Sequence, residues 1–217
     1  MESNRLISSN KNYLQILNAK TIVIKIGSSI LIDPKKNILK NKWLISLLDE
    51  IAFLKKNGKN IIIVSSGSIA LGKSVLNLTS KKLRLDESQA SAAIGQIKLA
   101  QAYDLILKKY NIYTAQILLT SDDSQNRRRY LNIRSTFKSL LKIGVIPIVN
   151  ENDTVATEEI KFGDNDRLAA QVALITEANL LILLSDIDGL YDKDPNINPD
   201  AKHLALIKEV TRKMLNM

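Results

Sequence analysis

Polar residues follow several short apolar runs of this chain, at points where they could bind an anion. The run Thr21 to Ile26 carries Lys25 near its end and continues into Gly27, Ser28 and Ser29. A lysine within an apolar run is costly unless its ammonium group is paired, and a glycine lets the backbone approach a phosphate closely. The segment has the groups that a phosphate site needs, but taken alone it is more typical of a lysine that extends to solvent before an ordinary turn.

A second run ends in a segment with two interpretations. From Gly67 to Ser74 the sequence satisfies the P-loop pattern G-x-x-x-x-G-K-[ST], and Leu181 to Asp186 is similar to the strand and magnesium-binding Asp that accompany it. The residues between the two glycines, Ser-Ile-Ala-Leu, suit a helix better than a loop that wraps phosphates. We predict that Gly67 starts a helix, with phosphate or substrate at its N-terminus and Lys73 elsewhere. A P-loop NTPase is the alternative.

Two clusters of Asn and Asp occupy comparable positions further along the chain. Asn150 to Asp153 follow the run Val145 to Val149, and Phe162 to Asp166 lead into an apolar helical stretch. Amide and carboxylate groups there could hold an ammonium group, accept hydrogen bonds or steer Mg²⁺. The same residue types form turns and cap helices, but two clusters at strand ends of one sheet favour a binding site. Ser185 and Asp186, at the end of the last run, could face a nucleotide.

The elements that position these residues alternate between strand and helix. Brevity and β-branched content predict strands at Thr21 to Ile26, Asn60 to Ser65, Ile112 to Leu119, Val145 to Val149 and Asn179 to Ser185. Helical spacing predicts helices at Trp43 to Lys56, Glu87 to Tyr110, Arg129 to Lys142 and Asp166 to Glu177. This alternation predicts an α/β fold with a mainly parallel sheet covered by helices on both faces. Ligands of such sheets bind beyond the carboxyl ends of the strands.

Composition narrows the class of protein. With 217 residues, 45% of them hydrophobic, one domain over residues 19–217 is expected, preceded by a mobile tail at 1–18. The absence of Cys excludes disulfides and thiolate metal sites and favours the cytoplasm. No apolar run reaches the roughly 18 residues that span a bilayer, so no membrane partner is expected. The net charge of +9 would suit nucleic acid, but aromatics are only 5% of residues, which favours a solvated lysine-rich surface instead.

Together these segments resemble the amino acid kinase family, and within it the glutamate 5-kinases. Lys25 to Ser29 is similar to the family's first glycine loop and Val64 to Ala70 to its second. Asn150 to Asp153 and Phe162 to Asp166 are similar to its substrate segments, in the same order and spacing. The resemblance runs from about Ala19 to the end of the chain, and Gln116 to Thr120 also matches this branch of the family.

This resemblance implies a three-layer αβα sandwich and ATP-dependent phosphorylation of the L-glutamate side-chain carboxylate, the first step of proline biosynthesis. It implies that Lys25 and Asp166 are catalytic, with Lys25 contacting ATP and stabilising the transferring phosphoryl group. The residues implied to bind glutamate are Ser66, Asn150, Asp153, Asp164 and Asn165. Those implied to contact MgATP are Lys25, Gly27, Ser28, Ser185 and Asp186, with no dedicated protein site for the metal.

The resemblance also implies a homo-oligomer and proline as a feedback ligand. Family members carry, further toward the C-terminus, a glycine-rich segment whose lysine closes over the ATP phosphates, and these 217 residues contain no such segment. Two functions are therefore open. The chain is either a glutamate 5-kinase or a truncated, non-catalytic kinase fold that binds glutamate, proline or a partner subunit.

Overall fold

The computed structural model describes residues 14–78, 83–155, 165–210 and 212, and its centre is a parallel sheet. The sheet strands are β1 Thr21–Ile26, β4 Asn60–Ser65, β5 Thr114–Leu119, β6 Ile146–Glu151 and β7 Leu180–Leu184. They lie in the order β5-β6-β4-β1-β7, and every neighbouring pair is parallel. A separate antiparallel pair joins β2 Ile32–Asp33 to β3 Ile38–Leu39.

Helices connect the strands of the sheet. They are α1 Ser28–Leu31, α2 Asn41–Lys56, α3 Ser68–Val75, α4 Leu85–Leu107, α5 Ser121–Gln125, α6 Arg127–Lys142 and α7 Asn165–Ile175. Residues 14–18 are also helical. Within the described ranges, no helix combines the length and apolarity that crossing a bilayer requires.

The chain divides into two compact units, Met1–Leu184 and Ser185–Met217. The sheet and its helices belong to the first unit. In the described part of the second unit, an isolated antiparallel bridge joins Tyr191 to His203, and their rings make an edge-on contact with centroids 5.2 Å apart.

Two hydrophobic clusters cover the two faces of the sheet, because successive side chains of a strand point to opposite sides. Ile22, Ile24 and Ile26 of β1 belong to the cluster that contains the buried residues of α2 and α4. Val23 belongs to the other, with the buried residues of α6 and α7. The predicted fold, a parallel sheet between two helical layers, is confirmed.

Helices α3 and α4 cross closely enough for backbone to touch backbone. A Cβ added at Gly72 of α3 would lie 1.7 Å from the carbonyl oxygen of Ser91 on α4, and one added at Gly95 would lie 1.7 Å from that of Ser68. Glycine is the residue that such a crossing requires, since any side chain would separate the helices. Gly72 therefore serves helix packing.

The P-loop interpretation is wrong. In a P-loop the Gly-Lys-Ser/Thr segment begins a helix, whereas here Gly72, Lys73 and Ser74 lie in the second half of α3. The prediction that Gly67 starts the helix is confirmed: it is the N-cap, and its φ of 104° lies in the left-handed region that glycine adopts without strain. The chain turns sharply there and enters a helix, with no loop that could wrap phosphates.

Most predicted elements agree with the structure to within two residues. The predicted bounds of β1 and β4 are those observed. Strand β6 continues beyond the predicted end to Glu151, because Asn150 and Glu151 still pair with Leu118 and Leu119 of β5. Sequence analysis missed α1, α5 and the β2–β3 pair, since elements of two to five residues carry too little periodicity to detect.

Substitution of Gly72 by alanine tests the close crossing of α3 and α4. Overpacking against a fixed backbone should lower the free energy of unfolding by about 2–4 kcal/mol, despite the better helix propensity of alanine. Gly58→Ala is the matched control, because its φ is 78° and open space surrounds its Cβ position. Gly58→Ala should lower the free energy of unfolding only by the strain of placing alanine in a left-handed backbone conformation, about 1 kcal/mol. Urea unfolding of both variants gives the comparison, and equal losses would contradict the packing role of Gly72.

Candidate active site

The carboxyl ends of β1, β4 and β6 bring the candidate residues to one edge of the sheet. Lys25 lies near the end of β1, Ser66 follows β4, and Asn150 lies near the end of β6. The first turn of α7 adds Asn165 and Asp166 to the same edge. Segments more than a hundred residues apart in the chain thus meet where ligands of parallel α/β sheets bind.

Lys25 is a buried cation with an acidic partner. It is 8% exposed, and its Nζ lies 2.6 Å from Oδ1 of Asp166. Its position in β1 directs its side chain to the face that α7 covers, where the Asp166 side chain stands half exposed. The pair keeps a positive charge at the sheet edge without leaving it unneutralised in the apolar core. The predicted catalytic residues Lys25 and Asp166 therefore form an ion pair.

Asn165 is the centre of a buried hydrogen-bond cluster. Three acceptors lie close to its Nδ2 atom: Ser66 Oγ at 2.7 Å, Asn150 Oδ1 at 2.9 Å and the Ser65 carbonyl at 3.2 Å. One amide group thus ties α7 to the ends of β4 and β6. The structure brings together the predicted substrate residues Ser66, Asn150 and Asn165.

Asp153 joins this cluster through a serine that sequence analysis did not select. Ser68, in the first turn of α3, donates from Oγ to Asp153 Oδ2 at 3.2 Å and accepts from Asn150 Nδ2 at 3.3 Å. Burial raises the pKa of the Asp153 carboxyl above its usual value, and the hydrogen bond from Ser68 opposes that shift. Asp164, the remaining predicted substrate residue, lies outside the described residues.

The residues predicted to contact nucleotide belong to both units of the chain. The Gly27 amide donates to the Leu184 carbonyl at 3.0 Å, so it extends the β1–β7 ladder. A Cβ at Gly27 would be 3.6 Å from Lys25 Nζ, so glycine keeps the space beside the ammonium group open. Ser28 is exposed in α1. Ser185 donates to its neighbour Asp186 within the second unit, and the contact of these two residues with nucleotide stays a prediction.

A hydrogen-bonded pair of glutamines lies next to the end of strand β6. Gln96 on α4 is buried, donates to the Glu151 carbonyl at 3.4 Å and accepts from Gln116 Nε2 at 3.2 Å. Gln116 and Ser68 lie in segments that resemble the family, but neither was assigned a role, and Gln96 was not marked. Ser68 and Gln96 lie on α3 and α4, and only the tertiary structure shows that they contact the site.

The donor set of the site fits an anionic ligand better than a bound metal. Lys25 supplies the ammonium group, Asn165 and Ser66 supply amide and hydroxyl groups, and Asp153 supplies an acceptor for a cationic group. In the described part of the chain, no group of three or more His, Asp or Glu side chains gathers that could hold a metal ion. A magnesium ion that arrives on nucleotide phosphates needs only one or two protein carboxylates.

Removal of the Asp166 carboxylate tests the dependence of Lys25 on its partner. Asp166→Ala should lower the free energy of unfolding by about 1–3 kcal/mol, since it leaves a buried ammonium group unpaired. Asp200→Ala is the matched control, because its pair with Lys193 is exposed on both sides and should contribute less than about 1 kcal/mol. Urea unfolding at neutral pH measures both. A smaller loss for Asp166→Ala than for Asp200→Ala would contradict the pairing.

The raised pKa of Asp153 predicts a stabilising substitution. A carboxyl whose pKa is higher in the folded than in the unfolded state binds protons more tightly when folded, so stability falls as pH rises between the two values. Asp153→Asn removes this penalty and should raise the melting temperature at pH 7. The gain should vanish below about pH 4, where the unfolded-state carboxyl is also protonated. Thermal melts at pH 3.5 and pH 7 test the sign, and destabilisation at pH 7 would contradict it.

Known proteins of similar sequence cover most of this chain. The chain is 55% identical to the glutamate 5-kinase of Ruegeria sp. (strain TM1040) over 193 residues, which cover 89% of this chain and 52% of that protein. It is 59% identical to the glutamate 5-kinase of Agrobacterium fabrum over 190 residues, which cover 88% of this chain and 49% of that protein. The chain thus spans about half the length of the curated relatives it matches. Residues 20–215 match the profile described as "Amino acid kinase family", and the chain belongs to that family.

Proposed function

We propose that this chain is the kinase domain of a glutamate 5-kinase. It would transfer the γ-phosphoryl group of MgATP to the side-chain carboxylate of L-glutamate, giving an acyl phosphate and ADP. The observation that carries the proposal is the meeting of the paired Lys25 with the buried cluster around Asn165 at one edge of the sheet. The identity of 55–59% to proteins named glutamate 5-kinase supports the same substrates.

The proposed reaction needs no general base. A glutamate side chain with an unperturbed pKa of about 4.3 is already ionised at neutral pH, so its oxygen can attack phosphorus directly. The reaction is opposed by repulsion between the glutamate carboxylate and the ATP phosphates, two anionic groups that must align. Catalysis then rests on positioning and on neutralisation of negative charge, the two contributions that dominate phosphoryl transfer.

Lys25 is suited to neutralise that charge. Its ammonium group is desolvated and held by Asp166 at 2.6 Å, so it is aligned before a ligand arrives. Preorganised charge in a site that excludes water is worth more than the same charge in solvent. Asp166 acts here by orienting Lys25. Mg²⁺ bound to the nucleotide would supply further positive charge to the phosphates.

The buried cluster is suited to bind the amino acid. L-glutamate carries one cationic group, its ammonium, and Asp153 is the carboxylate of the cluster that can accept from it. The amide of Asn165 and the hydroxyl of Ser66 form a hydrogen bond with each other. Both groups can also donate to a carboxylate of the substrate. Asn150 holds Asn165 in place from the side of β6.

The remaining assignments of the sequence analysis belong to the same proposal. Gly27, Ser28, Ser185 and Asp186 would contact MgATP, and Asp164 would contribute to the glutamate pocket. The reaction would take place in the cytoplasm as the first step of proline biosynthesis. We also expect proline to bind as a feedback ligand and the chain to form a homo-oligomer. The alternative is a kinase fold that binds glutamate without transferring phosphate.

The experiment measures ADP release from MgATP by the purified chain, with and without L-glutamate. We expect release that depends on L-glutamate, and we expect Lys25→Ala to reduce it by at least a hundredfold, since removal of one charge-stabilising group at the transition state costs about 10²–10³ in rate. Lys73→Ala is the matched control, a lysine substitution in the second half of α3. It should change the rate by less than about threefold.

Each outcome decides between the candidates. Release that survives Lys25→Ala but is lost in Lys73→Ala would overturn the assignment of Lys25. No release from a folded chain, together with saturable binding of L-glutamate in calorimetry, would favour the non-catalytic alternative. Absence of both would overturn the proposed function.

A further inference from the structure

Ser68 is a buried hydroxyl whose hydrogen bonds run in a fixed direction. It is 2% exposed and lies in the first turn of α3, between Asn150 of β6 and Asp153. The Ser68 side chain does not cap helix α3, because the N-cap is Gly67 and no side chain makes a capping hydrogen bond there. Among the described residues, its hydroxyl forms hydrogen bonds only with Asn150 and Asp153, and both belong to the candidate site.

The direction of the chain of hydrogen bonds follows from the chemistry of Asn150. The backbone amide of Glu151 can only donate, and it lies 2.9 Å from Asn150 Oδ1, so that atom is the acceptor of the side-chain amide. Asn165 Nδ2 donates to the same oxygen at 2.9 Å. The other atom of the Asn150 amide is therefore the nitrogen, which donates to Ser68 Oγ.

Ser68 must then donate its single proton elsewhere, and Asp153 is the acceptor within reach. The bond from Ser68 Oγ goes to Oδ2 of Asp153, and in the described chain no group donates to the second oxygen, Oδ1. A carboxyl that accepts from Ser68 is favoured in its ionised form. The hydrogen-bond chain from Asn165 through Asn150 and Ser68 thus ends on a carboxylate whose Oδ1 accepts from no group of the described residues.

We propose that Ser68 is a positioning residue for recognition of the amino acid. It holds Oδ2 of Asp153, so that Oδ1 is presented as an ionised acceptor to the ammonium group of the substrate. This inference rests on the proposed function, since it takes L-glutamate as the ligand. It adds a residue to the site and assigns it one task, discrimination of an amino acid from a dicarboxylate that lacks the ammonium group.

The test compares two ligands that differ in that group, L-glutamate and glutarate. Calorimetry on the purified chain gives the Kd of each without requiring turnover. Ser68→Ala should raise the Kd for L-glutamate about 3- to 10-fold, the range that loss of one hydrogen bond produces. The Kd for glutarate should change less than twofold. Ser68→Thr, which keeps a hydroxyl, should restore the preference for L-glutamate.

Ser91→Ala is the matched control. Ser91 is also fully buried, on α4, but its Oγ makes no hydrogen bond in the described structure. Removing that hydroxyl takes away a buried oxygen of the same kind without touching Asp153. It should leave the ratio of the two dissociation constants unchanged.

A second measurement needs no ligand. The pKa of the Asp153 carboxyl, followed by ¹³C NMR titration of the free chain, should rise in Ser68→Ala, because the donor that favours its ionised form is gone. It should stay unchanged in Ser91→Ala.

The outcomes separate this inference from the proposed function. Equal loss of affinity for L-glutamate and glutarate in Ser68→Ala would mean that Ser68 only supports the fold, and would overturn the inference alone. If the unaltered chain binds neither ligand, the proposed function fails. In that case an unchanged Asp153 pKa in Ser68→Ala overturns the placement of Ser68 as well, whereas a raised one upholds it.

Discussion

The structure depends on the need to neutralise a buried ammonium group at the end of a central strand. Lys25 belongs to β1, an interior strand that pairs with β4 on one side and β7 on the other, and its side chain is buried. An unpaired charge there would be costly, and Asp166 in the first turn of α7 removes most of that cost. The pair links β1 to the first turn of α7, on the sheet face that α7 covers. In the same turn, Asn165 donates to Ser66 and Asn150 at the ends of β4 and β6.

The buried polar cluster shows the balance between stability and binding in this protein. Asn165, Asn150 and Ser68 are neutral, and hydrogen bonds join Asn165 to Asn150 and Asn150 to Ser68. Asp153 is the exception, since burial raises its pKa and one hydrogen bond only partly compensates. A carboxyl kept in a setting that disfavours its charge lowers the stability of the free protein, but it gains most from a cationic ligand.

Close packing of α3 against α4 has a functional consequence as well as a structural one. Gly72 and Gly95 let the two backbones touch, and this contact sets the position of the first turn of α3. Ser68 lies in that turn, so the location of its hydroxyl between Asn150 and Asp153 depends on two glycines that bind nothing themselves. The second glycine of the apparent P-loop motif is explained by the same packing, since Gly72 is required by the helix crossing.

Much of the fold was predictable from the sequence alone. Runs of β-branched residues and helical spacing are local properties, so the alternation of strands and helices, and the bounds of β1 and β4, were read correctly. Residue types also marked Lys25 and the Asn and Asp clusters that contain Asn150, Asp153 and Asn165, whereas the roles of these residues and of Ser66 were implied by the family resemblance and stay predictions. Only the tertiary structure decided which of these groups touch. The pairing of Lys25 with Asp166, the central place of Asn165 and the role of Ser68 depend on distances between segments far apart in the chain, and no local pattern of residues encodes a distance across a sheet.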